Sequence, residues 1–210
     1  MNTASATGMP EDELACWLFT EFVTLRLITS ELGLAHEMQF YFKTDTKVLA
    51  PASHGPGDID VLAVNAKYPE KAIVVEVKRV KMQSNSYRTS LPNKLQELKK
   101  GCEQVGLLRE IGFHSFYLLV VVVADGREQT EMSFPFRGPT PALLKAVKDE
   151  LLKMKFHSDV GIIVVEATQP VDKKIQDSGA IGIWTHQKAS MIRQPSELTS
   201  NITGFLQISR

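Results

Sequence analysis

The sequence predicts an α/β protein in which a mixed central β-sheet is flanked by helices. Helical and strand patterns follow one another in the order helix, three strands, helix, strand, helix, strand, strand. The strongest strand pattern is the unbroken apolar run 116–124, which is typical of a central strand covered on both faces. Hydrophobic residues make up 43% of the 210 residues, which is enough for one domain with a substantial core.

The first half of the chain is predicted to contribute one helix and three strands. Pro10 suits the first position of a helix, and Gly33 suits its end, so we expect a helix from about residue 10 to residue 32. The strands are predicted at 38–48, 59–64 and 72–80. Turn-forming residues separate the last two strands, which we expect to pair as an antiparallel hairpin.

The second half is predicted to alternate between helices and strands. Apolar residues spaced by three and four predict a helix from about Leu91 to Gly112, after a polar loop at 82–93. A further helix is expected at 141–156 and strands at 160–167 and 180–185, whereas the segment from Gln187 has no clear pattern. We therefore expect a single domain over residues 1–210, with a core at 10–124 and a C-terminal helix-strand-strand extension at 140–186.

Composition narrows the classes of function. The formal net charge is zero, so binding to nucleic acid would need a local basic face, which the basic residues between Lys78 and Lys100 could form. No apolar stretch approaches the roughly 20 residues that span a bilayer, and the first ten residues do not resemble a secretory signal. Cys16 and Cys102 have no metal-ligand spacing and are interpreted as small core residues, so we expect a cytoplasmic protein without a membrane partner.

Charged residues lie inside two of the strands that are otherwise rich in valine and isoleucine. Side chains alternate along a strand, so Glu76 and Lys78 share one face, and Asp58 and Asp60 share a face of the preceding strand. If the hairpin turns symmetrically about Tyr68, Asp60 lies opposite Glu76 with the two Cβ atoms about 5 Å apart.

Two carboxylates placed so close repel one another unless a cation or a proton lies between them. A hard divalent ion, Mg²⁺ or Mn²⁺, fits Asp60 and Glu76 best, and the backbone carbonyl of Val77 would add a ligand. Asp58 is a competing carboxylate ligand. Such an ion would lower the pKa of a bound water and polarise a phosphodiester, while Lys78 would orient that water or stabilise the developing charge.

The segment Gly57-Asp-Ile-Asp60, followed by Glu76-Val-Lys78 on an apolar strand, resembles the core motif of the PD-(D/E)XK nucleases. The element order of that superfamily also matches residues 10–124. The resemblance implies a restriction-endonuclease-like αβββαβ core with a C-terminal αββ extension. It also implies a Mg²⁺-dependent nuclease, an endonuclease, that hydrolyses phosphodiester bonds of DNA. The proline that gives the family its name is absent, since Ile59 precedes Asp60.

The resemblance implies two supporting residues as well. Many members carry a glutamate on the first helix that reaches the metal or its waters, and Glu21 is the best candidate because its helical neighbours are apolar; the alternative is a flank position in water. Many members also carry a glutamine on the helix after the Glu-x-Lys strand. Gln104 fits, with Gln96 as its alternative, and Gly101 one turn earlier would allow a close backbone approach.

Other interpretations stay open at this point. His54 and the loop 81–88 could approach a nucleic acid, or could be an ordinary loop histidine and a connector. A homodimer would suit an enzyme that cuts both DNA strands. A catalytically inactive nuclease-fold module, acting as a nucleic-acid-binding or assembly subunit, is the alternative function. A third interpretation, an unrelated sheet protein with surface ion pairs, predicts that Glu76 and Lys78 are exposed.

Overall fold

A six-stranded mixed sheet lies at the centre of the protein, with helices packed on both of its faces. The computed structural model describes residues 10–34, 37–53, 55–82, 95–124, 136–137, 141–167, 169–170 and 181–209. Within these residues the strands are β1 (Gln39–Asp45), β2 (Asp58–Val64), β3 (Ile73–Met82), β4 (Ser115–Ala124), β5 (Phe136–Arg137), β6 (Gly161–Ala167), β7 (Gln169–Pro170) and β8 (Ile181–Gln187). The helices are α1 (Glu11–Thr20), α2 (Phe22–Glu31), α3 (Thr46–Leu49), α4 (Leu95–Ile111), α5 (Pro141–Lys153) and α6 (Ser196–Ile208). The predicted α/β class is confirmed.

The strands of the main sheet lie in the order β1-β2-β3-β4-β6-β8. The first three are antiparallel neighbours, β3, β4 and β6 run parallel to one another, and β8 returns antiparallel to β6. The short strands β5 and β7 pair with each other outside this sheet. The C-terminal strands β6 and β8 therefore extend the same sheet that the first half of the chain begins.

β4 is buried along its described length, as its apolar run predicts. Its even-numbered side chains pack in a cluster with residues of α4, α5 and α6, and its odd-numbered side chains pack in a second cluster with α1 and α2. The sheet thus divides the core into two layers, because successive side chains of a strand point to opposite faces.

The expectation of one continuous helix from residue 10 to residue 32 is wrong, because the chain forms α1 and α2 with a break at Glu21. The backbone of Glu21 is extended, with φ −75° and ψ 131°, and its carboxylate accepts hydrogen bonds from the N–H groups of Val23 and Thr24, each at 2.9 Å. These are N–H groups that have no partner inside the helix, so Glu21 acts as the N-cap of α2.

β1 is shorter than predicted, for a similar reason. The strand ends at Asp45, whose carboxylate accepts a hydrogen bond from the N–H of Lys47 at 2.8 Å and so caps the start of α3.

Cys16 is exposed on α1, so the core position expected for it is wrong.

The segment after Gln187, which has no clear sequence pattern, ends in α6. The side chains of Leu198, Ile202 and Leu206 enter the core at helical spacing. No helix among the residues that the structure describes is long and apolar enough to cross a membrane.

Candidate functional site

The β2–β3 hairpin has the register that places Asp60 opposite Glu76, since Val61 pairs with Val75. The backbone pairing of β2 with β3 ends at Val61 and Val75, although both strands continue beyond these residues. In place of the next rung, Oδ2 of Asp60 accepts a hydrogen bond from the N–H of Val77 at 2.8 Å. Asp60, which is buried, therefore joins the two strands through its side chain at the point where they separate.

A second carboxylate follows along the same edge of β3. Oε2 of Glu11 accepts a hydrogen bond from the N–H of Arg79 at 2.9 Å, and its Oε1 lies 3.3 Å from Nζ of Lys78. Alternate residues of a strand direct their backbone groups to the same side, and the N–H and C=O of one residue point the same way. The carbonyl of Val77 therefore lies on the edge of β3 where Asp60 and Glu11 bind.

Glu76 and Lys78 share one face of β3, as the alternation predicts. Nζ of Lys78 donates to Oε1 of Glu76 at 2.6 Å, and the two residues are only 1% and 7% exposed. The interpretation of these charges as surface ion pairs is therefore wrong. Their face is covered by α4 at Gly101, where an added Cβ would lie 2.7 Å from Cγ of Lys78. The expected close backbone approach at Gly101 is present.

One oxygen of Glu76 is left without a partner. Its Oε2 is buried and accepts no hydrogen bond from any residue in the described part of the chain. Burial, followed by the charge of Asp60, raises the pKa of Glu76 to about 7, against the opposing influence of Lys78. A buried acceptor that lacks a partner is costly, and either a bound cation or a proton shared with Asp60 would remove that cost.

Lys78 is held in its charged form. Burial by itself would lower the pKa of Lys78, but the charge and hydrogen bond of Glu76, followed by the charges of Glu11 and Asp60, raise the pKa above its usual value. The ammonium group is therefore protonated at neutral pH. It can donate hydrogen bonds but cannot accept a proton.

Lys43 of β1 also belongs to this cluster, although no sequence motif marks it. Its Nζ lies 2.6 Å from Oδ1 of Asp60 and 3.4 Å from Oδ2 of Asp58. Burial would lower the pKa of Lys43, and the contacts with the two aspartates raise it. The backbone of Lys43 has a φ of 50°, in the left-handed region that costs a residue with a side chain about 1–2 kcal/mol.

The resemblance implies that Glu21 supports the site, but the first-helix glutamate that contacts the cluster is Glu11. The described contacts of the Glu21 carboxylate are with the start of α2, and none of them involves the central acidic residues or Lys78. Glu11 is the first-helix glutamate that reaches the cluster. A sequence signal for it exists, because Glu11 precedes the buried Leu14 and Leu18 by three and seven residues and so extends the buried stripe of α1.

Gln104 lies half-buried on α4, one turn after Gly101. Among the described residues it makes no hydrogen bond with Asp60, Glu76 or Lys78. Its alternative, Gln96, is in α4, but the Gln96 side chain, His54 and residues 83–93 of the predicted loop lie outside the described residues.

Six charged side chains are thus brought together, and carboxylates outnumber ammonium groups by four to two; they are Glu11, Asp58, Asp60, Glu76, Lys43 and Lys78. Within the part of the chain that the structure describes, no group of three His, Cys, Asp or Glu side chains could hold a metal alone. An ion here would be held by two carboxylates with a backbone carbonyl and water, which is a set that Mg²⁺ accepts.

Comparisons with the models of known protein families and with curated proteins give no match for this chain. The structure defines the protein as an α/β protein with an open six-stranded mixed sheet and a partly buried acidic cluster where β2 and β3 separate. Its function is therefore inferred from the chemistry of that cluster.

Proposed function

We propose that this protein is a Mg²⁺-dependent nuclease of the PD-(D/E)XK type that hydrolyses phosphodiester bonds of DNA. The observation that carries the proposal is the buried carboxylate of Glu76, which has one oxygen on Lys78 and the other without a partner, beside Asp60. The order of helices, three antiparallel strands, helix and parallel strand in residues 10–124 supports a restriction-endonuclease-like core.

The residues present fit a hard divalent ion. Asp60 and Glu76 would supply carboxylate oxygens and Val77 a backbone carbonyl, and Mg²⁺ is commonly bound by one or two carboxylates together with water. Asp58, whose side chain is 48% exposed, is the alternative carboxylate ligand. When bound at these oxygens, the ion would lower the pKa of a coordinated water and polarise the phosphodiester.

Lys78 would donate a hydrogen bond to the negative charge that develops on the phosphorus oxygens. As an ammonium group it would act as a hydrogen-bond donor. Glu76 and Glu11 both contact the ammonium group, and α4 covers its methylene chain at Gly101. A donor fixed in this way needs little reorganisation during the reaction, which is the condition for strong electrostatic stabilisation.

Glu11 would act as a positioning residue. Its carboxylate binds both Lys78 and the N–H of Arg79, so it fixes the lysine relative to the open edge of β3. This position corresponds to the first-helix glutamate that the resemblance implies. Gln104 remains a supporting candidate, since it follows Gly101 by one turn on the helix that covers the cluster.

One observation favours the alternative, a catalytically inactive module that binds nucleic acid or serves in an assembly. Both central carboxylates already have ammonium partners, Lys43 on Asp60 and Lys78 on Glu76. Titration with Mn²⁺ in a calorimeter separates the two functions. The nuclease binds the ion and loses it in Glu76→Ala, whereas the inactive module shows no binding, or binding that this substitution leaves unchanged.

The direct test is cleavage of supercoiled plasmid and of single-stranded DNA with Mg²⁺ or Mn²⁺. We expect metal-dependent cleavage that EDTA abolishes and that falls by about 100-fold or more in Lys78→Met and in Asp60→Asn. Lys145→Met is the matched control, because Lys145 is an exposed lysine of α5 that pairs with Asp149. The proposal fails if the parent cuts neither DNA nor RNA, or if an Asp60→Ala, Lys78→Ala double variant cuts equally well.

A further inference from the structure

We propose that the ammonium group of Lys43 competes with the metal ion for the carboxylates of Asp58 and Asp60. In the metal-free protein it holds Asp58 and Asp60 in the manner of a bound cation, and an incoming divalent ion must displace it. This inference rests on the proposed function, because it concerns the same site. It adds to that site a residue of β1 that the Asp…Glu-x-Lys motif does not contain.

The two oxygens of Asp60 have different partners, and the one that accepts no backbone hydrogen bond contacts Lys43. Oδ2 of Asp60 accepts from the N–H of Val77, whereas Oδ1 lies 2.6 Å from Nζ of Lys43. The same Nζ lies 3.4 Å from Asp58, the alternative metal ligand. A divalent ion bound at these oxygens would lie within a few ångströms of the ammonium group, and two cations at that distance in a partly buried site repel strongly.

Lys43 is also the lysine of the cluster whose ammonium group can move away from the carboxylates. Its side chain is 44% exposed, and its four-carbon stem is flexible, so the ammonium group can move into solvent. Lys78 is buried, bound by two glutamates and covered by α4 at Gly101. The two lysines therefore have different roles, one fixed beside Glu76 and the other exchangeable on Asp60.

The backbone conformation of Lys43 indicates that the ion pair between Lys43 and Asp60 stabilises the local structure. Among the described residues it is the one non-glycine residue with a positive φ, and the pairing of β1 with β2 skips the position where Lys43 would face Asp60. A strained conformation persists only where its surroundings compensate for it. The ion pair with Asp60 is such a compensation, and it keeps the ammonium group at the carboxylate while no metal is bound.

The test is calorimetric titration of the parent and of Lys43 variants with Mn²⁺ alone, without nucleic acid. We expect Lys43→Met to bind Mn²⁺ about three- to tenfold more tightly, because one partly exposed ion pair no longer has to be broken. Lys43→Arg keeps the positive charge and should bind no more tightly than the parent. Lys67→Met is the matched control, since it also removes an exposed lysine from an ion pair, with Glu37, away from the cluster.

Thermal unfolding gives a second readout and a safeguard against misfolding. In EDTA, Lys43→Met should melt below the parent, and added Mn²⁺ should raise its melting temperature by more than it raises that of the parent. Lys43→Gly is a second neutral variant that adopts a positive φ freely, and it should show the same gain in Mn²⁺ affinity.

Three results would overturn the inference, and they are distinguishable. If the parent binds Mn²⁺ and both neutral variants bind it equally or more weakly, Lys43 is not a competitor, while the proposed function stands. If Lys43→Arg gains affinity as Lys43→Met does, the charge is not the cause. If neither the parent nor the variants bind Mn²⁺, the inference and the proposed function fail together.

Discussion

Asp60 on β2 and Val77 on β3 are joined by a hydrogen bond of 2.8 Å between a carboxylate oxygen and a backbone N–H. The bond lies one step beyond Val61 and Val75, where the regular ladder between the strands ends. Asp60 therefore has a structural role that does not depend on any metal. Its other oxygen contacts Lys43 and, in the function that we propose, belongs to the metal site.

The two roles of Asp60 can be separated by substitution. Asp60→Asn keeps an oxygen that can accept from Val77 but loses the charge, so we expect a folded protein that no longer binds Mn²⁺. Asp60→Ala leaves the buried N–H of Val77 without a partner, which we expect to cost a further 1–3 kcal/mol, roughly, in the free energy of unfolding. Urea denaturation in EDTA measures the difference. Equal stability of the two variants would show that the hydrogen bond to Val77 contributes nothing.

Glu11 and Glu21 should respond differently to removal. Glu21→Ala deletes the N-cap of α2 and should cost about 0.5–2 kcal/mol of stability without changing Mn²⁺ affinity. Glu11→Gln should leave the fold intact but lower the rate of cleavage, because Lys78 loses one of its two carboxylate partners. Denaturation, calorimetry and cleavage on both variants check this. A loss of Mn²⁺ binding in Glu21→Ala would show that Glu21 does belong to the metal site.

The parts of the fold that sequence patterns predicted are those that local periodicity determines. The apolar run of β4, the helical spacing in α4 and the alternation in β3 each follow from one segment alone. Even the hairpin register could be predicted, because the short turn about Tyr68 links β2 to β3 almost symmetrically. Glu76 and Lys78 were predictable for the same reason, since alternation places them on one face whatever the register.

The parts that could not be predicted depend on contacts between distant segments. Lys43 reaches Asp60 only because β1 pairs with β2 and adopts a positive φ, which the sequence around Lys43 does not indicate. The break at Glu21 was missed because glutamate is not among the preferred N-cap residues and the apolar spacing continues through it. Glu11 was not selected as a site residue, because its contact partner on β3 lies far from it along the chain.

The stability of the metal-free protein should depend on the protonation of Glu76. Its pKa of about 7 in the folded protein lies above the ordinary 4.5, so folding favours the protonated carboxyl. The associated stability is fully present below the unfolded pKa and is lost as the pH rises through about 7. Glu76→Gln resembles the protonated carboxyl, so we expect its stability relative to the parent to increase between about pH 5 and pH 8.

Urea denaturation in EDTA at several pH values measures this difference. Glu70→Gln, an exposed carboxyl in the turn between β2 and β3, is the control for removing one negative charge. A relative stability of Glu76→Gln that stays constant or decreases over this range would show that Glu76 is ionised throughout, with Lys78 as the dominant influence on it.

The packing of α4 on Lys78 can be tested with two glycines of the same helix. A Cβ at Gly101 would lie 2.7 Å from Cγ of Lys78 and 2.9 Å from Cδ1 of Leu118, whereas a Cβ at Gly106 has nothing within 4 Å. Gly106→Ala should therefore stabilise the protein by up to about 1 kcal/mol through helix propensity. Gly101→Ala gains the same propensity, but overpacking at about 1–3 kcal/mol should outweigh it.

The functional consequence distinguishes a tight contact from a general loss of stability. Because Cγ of Lys78 lies near the root of its side chain, the added methyl group must displace the whole chain or the helix, and the ammonium group would move away from Glu76. We therefore expect Gly101→Ala to lose cleavage activity at a temperature where it is still folded by circular dichroism, while Gly106→Ala keeps the activity of the parent. If Gly101→Ala were as stable and active as Gly106→Ala, α4 would not fix the position of Lys78, and the role assigned to that packing would be wrong.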